Sequence, residues 1–114
     1  MQNKDCYHLS LAYLLTLDKV CKEHIKDIFD LKTDGIKTTA LEKSWQTGTS
    51  RKTTRLAFNL WNGCFDEGKE YYDHKDGYNK ILPSRYFAVD EIFCCEYAPF
   101  YYQAICLRYP EYTK

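Results

Sequence analysis

Apolar residues in this chain recur at helical spacing and almost nowhere at strand spacing, and that regularity constrains the fold more than any other feature. Tyr7, Leu11, Leu14 and Leu15 stand at i, i+4, i+7 and i+8, one face of an amphipathic helix over residues 7–17. Asp18, whose carboxylate can accept from unpaired backbone amides, predicts the N-cap of a second helix with Cys21, Ile25, Ile28 and Phe29 on its buried face. Lys22, Glu23, Lys26 and Asp27 fill the other side, so the two segments read as a helical hairpin closed over residues 30–35. Thr39 is placed to cap a short helix reaching Trp45. Glycine and hydroxyl residues in 46–50 favour a turn, after which Thr49 or Ser50 starts a helix over 51–61. Ala57, Leu60, Trp61 and Cys64 form its apolar stripe, with Leu56 beside it, and Asn62-Gly63 supplies its stop. Asp90 predicts the cap of a short helical turn. Pro99 opens a last helix that runs to Arg108, and Pro110 follows its end. The expected fold class is all-α, a small compact bundle of four to six helices.

A chain of 114 residues holds one core, so residues 1–114 are expected to form a single helical domain. The most loop-like stretch begins at residue 66. Five acids stand against two lysines over residues 66–77, with two glycines, and the segment 66–82 is expected to be an exposed, mobile acidic loop. Charge then excludes whole classes of function. Sixteen basic and 16 acidic side chains cancel, which argues against an acidic mimic of nucleic acid and against a strongly basic, non-specific DNA binder. The longest uncharged apolar run, residues 9–17, is far short of the roughly 20 residues that cross a bilayer, so no membrane is expected as a partner.

Six cysteines, at 6, 21, 64, 94, 95 and 106, suggest a disulfide framework only in an exported chain. No export signal is visible in the first residues, and Cys94 and Cys95 are adjacent, which suits a ladder of bridges poorly. Most of the cysteines have apolar neighbours, where free cysteine packs as a small hydrophobe. Reduced structural thiols and a cytoplasmic location are the expectation. The chain has no C-x-x-C, and His8, His24 and His74 are scattered. Cys64 with His74, or Cys94 and Cys95 with Glu96, make a metal site only on paper, so neither metal nor cofactor is expected.

Catalytic motifs are missing too: there is no G-x-S-x-G, P-loop, H-E-x-x-H or glycine-rich dinucleotide turn. The paired carboxylates Asp66-Glu67 and Asp90-Glu91 lie in polar stretches that would not raise a pKa. The reading is a non-enzyme. Two features suit binding instead. From residue 32 to 55, Lys32, Lys37, Lys43, Arg51, Lys52 and Arg55 face only Asp34 and Glu42. Arg51 and Arg55 share a helical face, and Thr47, Thr49 and Ser50 beside backbone amides offer a place for a phosphate. The second feature is aromatic density: 11 tyrosines, six phenylalanines and two tryptophans make 17% of the chain. Each ring has about 150–250 Å² to bury. The rings therefore read either as the core of an aliphatic-poor fold or as a protein-binding surface, where Tyr, Trp and Arg are favoured.

Three stretches carry a family likeness: Trp45-Gln46-Thr47-Gly48-Thr49-Ser50; Thr54-Arg55-Leu56-Ala57-Phe58-Asn59-Leu60-Trp61-Asn62-Gly63; and Phe93-Cys94-Cys95-Glu96-Tyr97-Ala98-Pro99 leading into Leu107-Arg108-Tyr109-Pro110-Glu111-Tyr112. With Tyr13-Leu14-Leu15 and the helix after Asp18, they make the chain resemble a family of small uncharacterised proteins of phages and mobile elements of Gram-positive bacteria. Residues 66–82 look longer than in typical relatives. The family offers no catalytic residues to carry over. What the resemblance implies is an anti-defence inhibitor, in the manner of anti-CRISPR proteins. Such a protein acts by steric blockade of a host defence protein such as a CRISPR effector nuclease or its guide complex. Trp45, Arg51, Arg55, Tyr101 and Tyr102 are the candidate partner contacts. The alternative is a small nucleic-acid-binding or regulatory module of a mobile element, with Lys43, Arg51, Lys52 and Arg55 of the 32–55 basic segment tracking phosphates.

Overall fold

A computed structural model of the chain describes residues 5–65, 71–72, 80–81 and 83–113. Helix α1 (Asp5–Leu17) leads directly into two short helices, α2 (Lys19–Glu23) and α3 (Ile25–Ile28). Asp18 is the N-cap read from the sequence: its carboxylate accepts from the amides of Val20 at 2.8 Å and Cys21 at 3.2 Å. The single second helix expected there is broken, because His24 leaves helical geometry (φ −121°, ψ 30°) and serves both as C-cap of α2 and N-cap of α3. Strands β1 (Phe29–Asp30) and β2 (Gly35–Ile36) then pair antiparallel, Phe29 opposite Ile36. The turn between them is fixed by the amide of Lys32 donating to Asp30 Oδ1 at 2.9 Å, and by Asp34 at a φ of 56°. That bond from the Lys32 amide is also the main reason the Asp30 carboxyl lies below its ordinary pKa.

The next segment corrects two further expectations. A 3-10 turn (Thr38–Glu42) takes the place of the helix to Trp45, and its N-cap is Lys37, not Thr39. Helix α4 (Gly48–Asn62) starts earlier than Thr49 or Ser50 predicts, because Thr47 closes a capping box. Thr47 Oγ1 accepts from the Ser50 amide at 3.0 Å while Ser50 Oγ accepts from the Thr47 amide at 2.7 Å, so two amides without helical partners are satisfied reciprocally. Gly63 (φ 79°) ends α4 in the left-handed conformation that glycine adopts without strain.

Of the expected acidic loop, only the backbone of β3 (Tyr71–Tyr72) and β4 (Lys80–Ile81), paired antiparallel, is described; the rest lies outside the described residues. A second 3-10 turn (Pro83–Phe87) precedes α5 (Val89–Ile92). Ala88 is the N-cap of α5, and Asp90 sits inside its first turn, where both of its oxygens accept from Arg85 at 3.1 Å. That pairing raises the Arg85 pKa. Helix α6 (Ala98–Arg108) has Pro99 in its first turn, where a missing amide costs nothing.

The architecture is all-α, a small bundle with six helices among the described residues, and α4 is its axis. Residues 53–58 of α4 are buried without a break, since α1, α2, α5, α6 and both 3-10 turns pack around it. The predicted stripe captures one side of this helix only. Leu14, Leu15, Ile28, Ala57, Phe58, Leu60, Ile92 and Ala104 form the apolar core, with Tyr101 among them. Arg108 fastens three helices at their ends. Its guanidinium lies over the rings of Tyr7 (3.7 Å) and Tyr109 (4.5 Å), and its Nε donates to the Leu60 carbonyl at 2.8 Å, in the last turn of α4. None of the six cysteines, all of them described, is joined in a disulfide.

Candidate functional site

A cleft of about 590 Å³ runs beside the first two turns of α4. Arg51, Lys52 and Arg55 come to it from α4, Leu41 and Glu42 from the first 3-10 turn, Tyr86 from the second, and Glu91 from α5. The capping box at Thr47 sets the phase of α4, and the i, i+4 spacing then brings Arg51 and Arg55 onto one face. Arg55 is 9% exposed, and its guanidinium lies 4.9 Å from the centre of the Tyr86 ring. Stacked cation and ring make one wall, and the acids Glu42 and Glu91 bring the opposite charge to the same space.

The cations of this region also hold the fold's short helices. Lys52 Nζ donates to the carbonyls of Glu91 at 2.9 Å and Cys94 at 3.2 Å, at the C-terminal end of α5. Arg51 Nε donates to the Leu41 carbonyl, near the end of the first 3-10 turn, at 3.3 Å. Lys37 Nζ does the same for the Lys26 carbonyl in α3, at 2.7 Å. A four- or five-residue helix leaves most of its carbonyls without helical partners, and a cation is the best donor for them. The local excess of basic residues therefore has an internal use.

Beneath the cleft, α4 buries hydroxyls instead of hydrocarbon. Thr54 Oγ1 donates to the Ser50 carbonyl at 2.8 Å and accepts from Gln46 Nε2 at 3.3 Å. Gln46 Nε2 also reaches the Ala40 carbonyl at 3.1 Å, and Ser50 Oγ donates to Gln46 Oε1. The Cys21 thiol closes the cluster, 3.6 Å from the Ser50 carbonyl and 3.5 Å from Thr54 Oγ1. Burial pushes this thiol up to about 12 from 9.0, so it is no nucleophile near neutrality. On the next face, Thr53 Oγ1 and the Tyr101 hydroxyl lie 2.6 Å apart. Burial raises the Tyr101 pKa as well.

The five partner contacts read from the sequence scatter. Arg51 and Arg55 meet in the cleft. Trp45 is half-buried elsewhere, its indole stacked on His24 at 4.3 Å and donating from Nε1 to Asp27 Oδ2 at 2.9 Å. Tyr101 is fully buried and cannot touch a partner; the ring faces α4 because its hydroxyl pairs with Thr53 and its edges meet Phe93 and Tyr97. Tyr102, one residue on, is 61% exposed on the outer side of α6. Lys43 is exposed, and Lys52 belongs to the cleft. Glu42, Tyr86 and Glu91 are cleft residues that the sequence reading missed, since no spacing signal links positions 42, 86 and 91 to 55. His74, half of one metal pair considered above, lies outside the described residues. Among the described residues, no group of three or more His, Cys, Asp or Glu stands where it could hold a metal. No helix among them is long and apolar enough to cross a membrane.

The model of a family of unknown function, DUF6075, matches residues 1–114. The chain belongs to DUF6075. No curated protein and no solved structure matches it. For this DUF6075 chain, the stretch that carried the family likeness around residues 45–50 is the capping box and the buried Gln46–Ser50 pair. Those residues build the fold, and the cleft lies beside them.

Proposed function

We propose that the protein is a non-enzymatic binding module that holds a protein partner in the cleft beside α4. In its most specific form the protein is a phage or mobile-element inhibitor acting in the bacterial cytoplasm, blocking an antiphage defence effector sterically in the manner of anti-CRISPR proteins. The observation that carries this reading is the composition of the cleft: Arg51, Arg55 and Tyr86 set against Glu42 and Glu91. Arginine and tyrosine dominate binding energy at protein interfaces. Two carboxylates in the same space repel a phosphate backbone but suit the mixed charge of a protein surface. The carbonyl-bound Lys37, Arg51 and Lys52 weigh in the same direction, because the basic segment has work to do without any nucleic acid.

The test is a tagged pull-down from a Gram-positive lysate with active defence systems, washed at low and high salt, for the wild type and Arg51→Glu. One defence effector retained at high salt and lost by at least about tenfold in Arg51→Glu is the expected result. Recovery of nucleic acid alone, removed by salt as counterion release requires, would transfer the site to the 32–55 segment.

A further inference from the structure

The charged groups of the cleft differ in what the fold leaves them to do. Lys52 holds two carbonyls with its ammonium, and Arg55 lies against the Tyr86 ring. Glu91 is engaged as well, with Oε1 3.3 Å from Arg85 Nη2. Arg51 is the exception. Its Nε donates to the Leu41 carbonyl at 3.3 Å, while Nη1 and Nη2 have no hydrogen-bond partner among the described residues. The side chain is half-buried, so these terminal donors stand at the wall of the cleft, outside the core. A guanidinium tied down at Nε keeps its plane, and its two terminal nitrogens form a fork whose parallel N–H groups match the two oxygens of a carboxylate. Less ordering is then needed when the ligand arrives.

We infer that the cleft recognises an acidic side chain on an extended segment of its protein partner, with Arg51 as the fork that takes the carboxylate. The inference rests on the reading of the cleft as a protein-binding site and narrows the partner's chemistry. Charge selects the ligand. Among the described lining residues Arg51, Lys52 and Arg55 stand against Glu42 and Glu91, which leaves one positive charge. A single carboxylate balances it. A phosphate monoester carries about −1.5 to −2 at neutral pH, so it would overshoot that balance and meet two acids in the same space. Glu42 and Glu91 thus act as selectivity residues that disfavour a second negative charge. Length agrees with a short peptide stretch. From Gly48 to Arg55, α4 rises about 10 Å, which is the span of about three extended residues. Gly48 brings no side chain to this wall, and Leu41 and the Tyr86 ring offer apolar cover for the methylene stem of an acidic residue.

The test titrates blocked peptides, acetyl-Ala-Glu-Ala-amide and its Gln counterpart, into the isotope-labelled full chain, followed by NMR at the Gly48 amide and the Arg51 Nε–H. The Glu peptide should produce saturable shifts at both positions with a dissociation constant of about 1–10 mM. The Gln peptide should bind at least about tenfold more weakly, because it loses the charge-assisted pair. Arg51→Lys keeps the charge without the fork and should lose at least about tenfold too, with circular dichroism checking that it is folded; the comparison of peptides needs no variant. Glu42→Gln should admit a phosphoserine peptide that the wild type disfavours. Equal binding of the Glu and Gln peptides overturns the inference, as do shifts that never saturate or an Arg51→Lys chain of unchanged affinity. A wild type that prefers the phosphoserine peptide assigns the cleft to a phosphopeptide, and a Gln peptide with a free C-terminus that matches the Glu peptide assigns the fork to a chain end; either overturns it. The two readings fail separately. A host protein retained through the cleft while the peptides bind alike would keep the binding module and remove its acidic partner, whereas the expected peptide result with no host protein recovered would do the reverse.

Discussion

Two sides of this small bundle treat their side chains in opposite ways. Beside α4, the charged groups are engaged within the fold: Lys52 and Arg51 satisfy carbonyls of neighbouring short helices, and Arg55 lies on Tyr86. The described side chains that α1 and α6 expose include Leu9, Ala12, Phe100 and Tyr102, with His8 held against Asp34. The basic character of residues 32–55 is therefore a poor guide by itself to what this protein meets. What separates a candidate contact from a structural residue is whether the fold already uses it. By that measure Lys52 is a structural residue, while Arg51 and Arg55 both brace the fold and line the cleft.

Adjacent tyrosines give the sharpest way to break this distinction. Tyr101 and Tyr102 are chemically identical, yet one is a core residue and the other projects from α6. Tyr101→Ala should lower the unfolding free energy by about 3–5 kcal/mol, through lost burial, a cavity and an unpaired Thr53 hydroxyl. Tyr102→Ala should change it by less than about 0.5 kcal/mol. Urea denaturation measures both. Equal losses at the two positions would mean that α6 does not sit as described.

A second expected effect belongs to the buried hydroxyl cluster. The Cys21 thiol has an ordinary pKa of 9.0 and one of about 12 in the fold. The folded state favours the neutral thiol, so its contribution is complete below pH 9 and is lost as the pH rises from 9 toward 12. Stability should fall by on the order of 2 kcal/mol by about pH 10.5. Cys21→Ala should flatten this slope, measured as urea midpoints from about pH 8 to 11. The Tyr101 hydroxyl shifts in the same direction and leaves a residual slope. A pH profile unchanged by Cys21→Ala would place the thiol in water.

Much of this contrast was hidden in the sequence for identifiable reasons. Asp18, Gly63 and Pro99 were legible because a cap or a stop acts through one residue's own chemistry. The break at His24 was not, since α2 and α3 are single turns and apolar periodicity needs several. Two-residue strands leave no alternation to detect. The burial of Ser50, Thr53 and Thr54 escaped because periodicity counts hydroxyl residues as outward-facing, whereas here they meet Gln46, Tyr101 and Cys21. In the cleft, Arg51 and Arg55 were legible as a helical pair. Glu42, Tyr86 and Glu91 join them only through tertiary packing.

The smallest expected effect tests the internal use of charge directly. Lys52 and Lys43 lie nine positions apart in the same basic segment, but only Lys52 ends on carbonyls at the close of α5. A hydrogen bond from a charged donor contributes about 1.5–3 kcal/mol when buried and less where solvent competes. Lys52 is half-buried, so Lys52→Met should cost about 1 kcal/mol while Lys43→Met costs almost nothing. Methionine keeps most of the side chain's length and packing, so the loss reports the ammonium and not a cavity. Added salt discriminates further. Removing a phosphate-tracking lysine would weaken nucleic-acid binding and leave stability untouched, whereas removing a carbonyl cap lowers the urea midpoint whether or not a polyanion is present. A stable Lys52→Met chain that had lost affinity for nucleic acid would reverse the comparison and assign the charged side to nucleic acid in place of a protein partner.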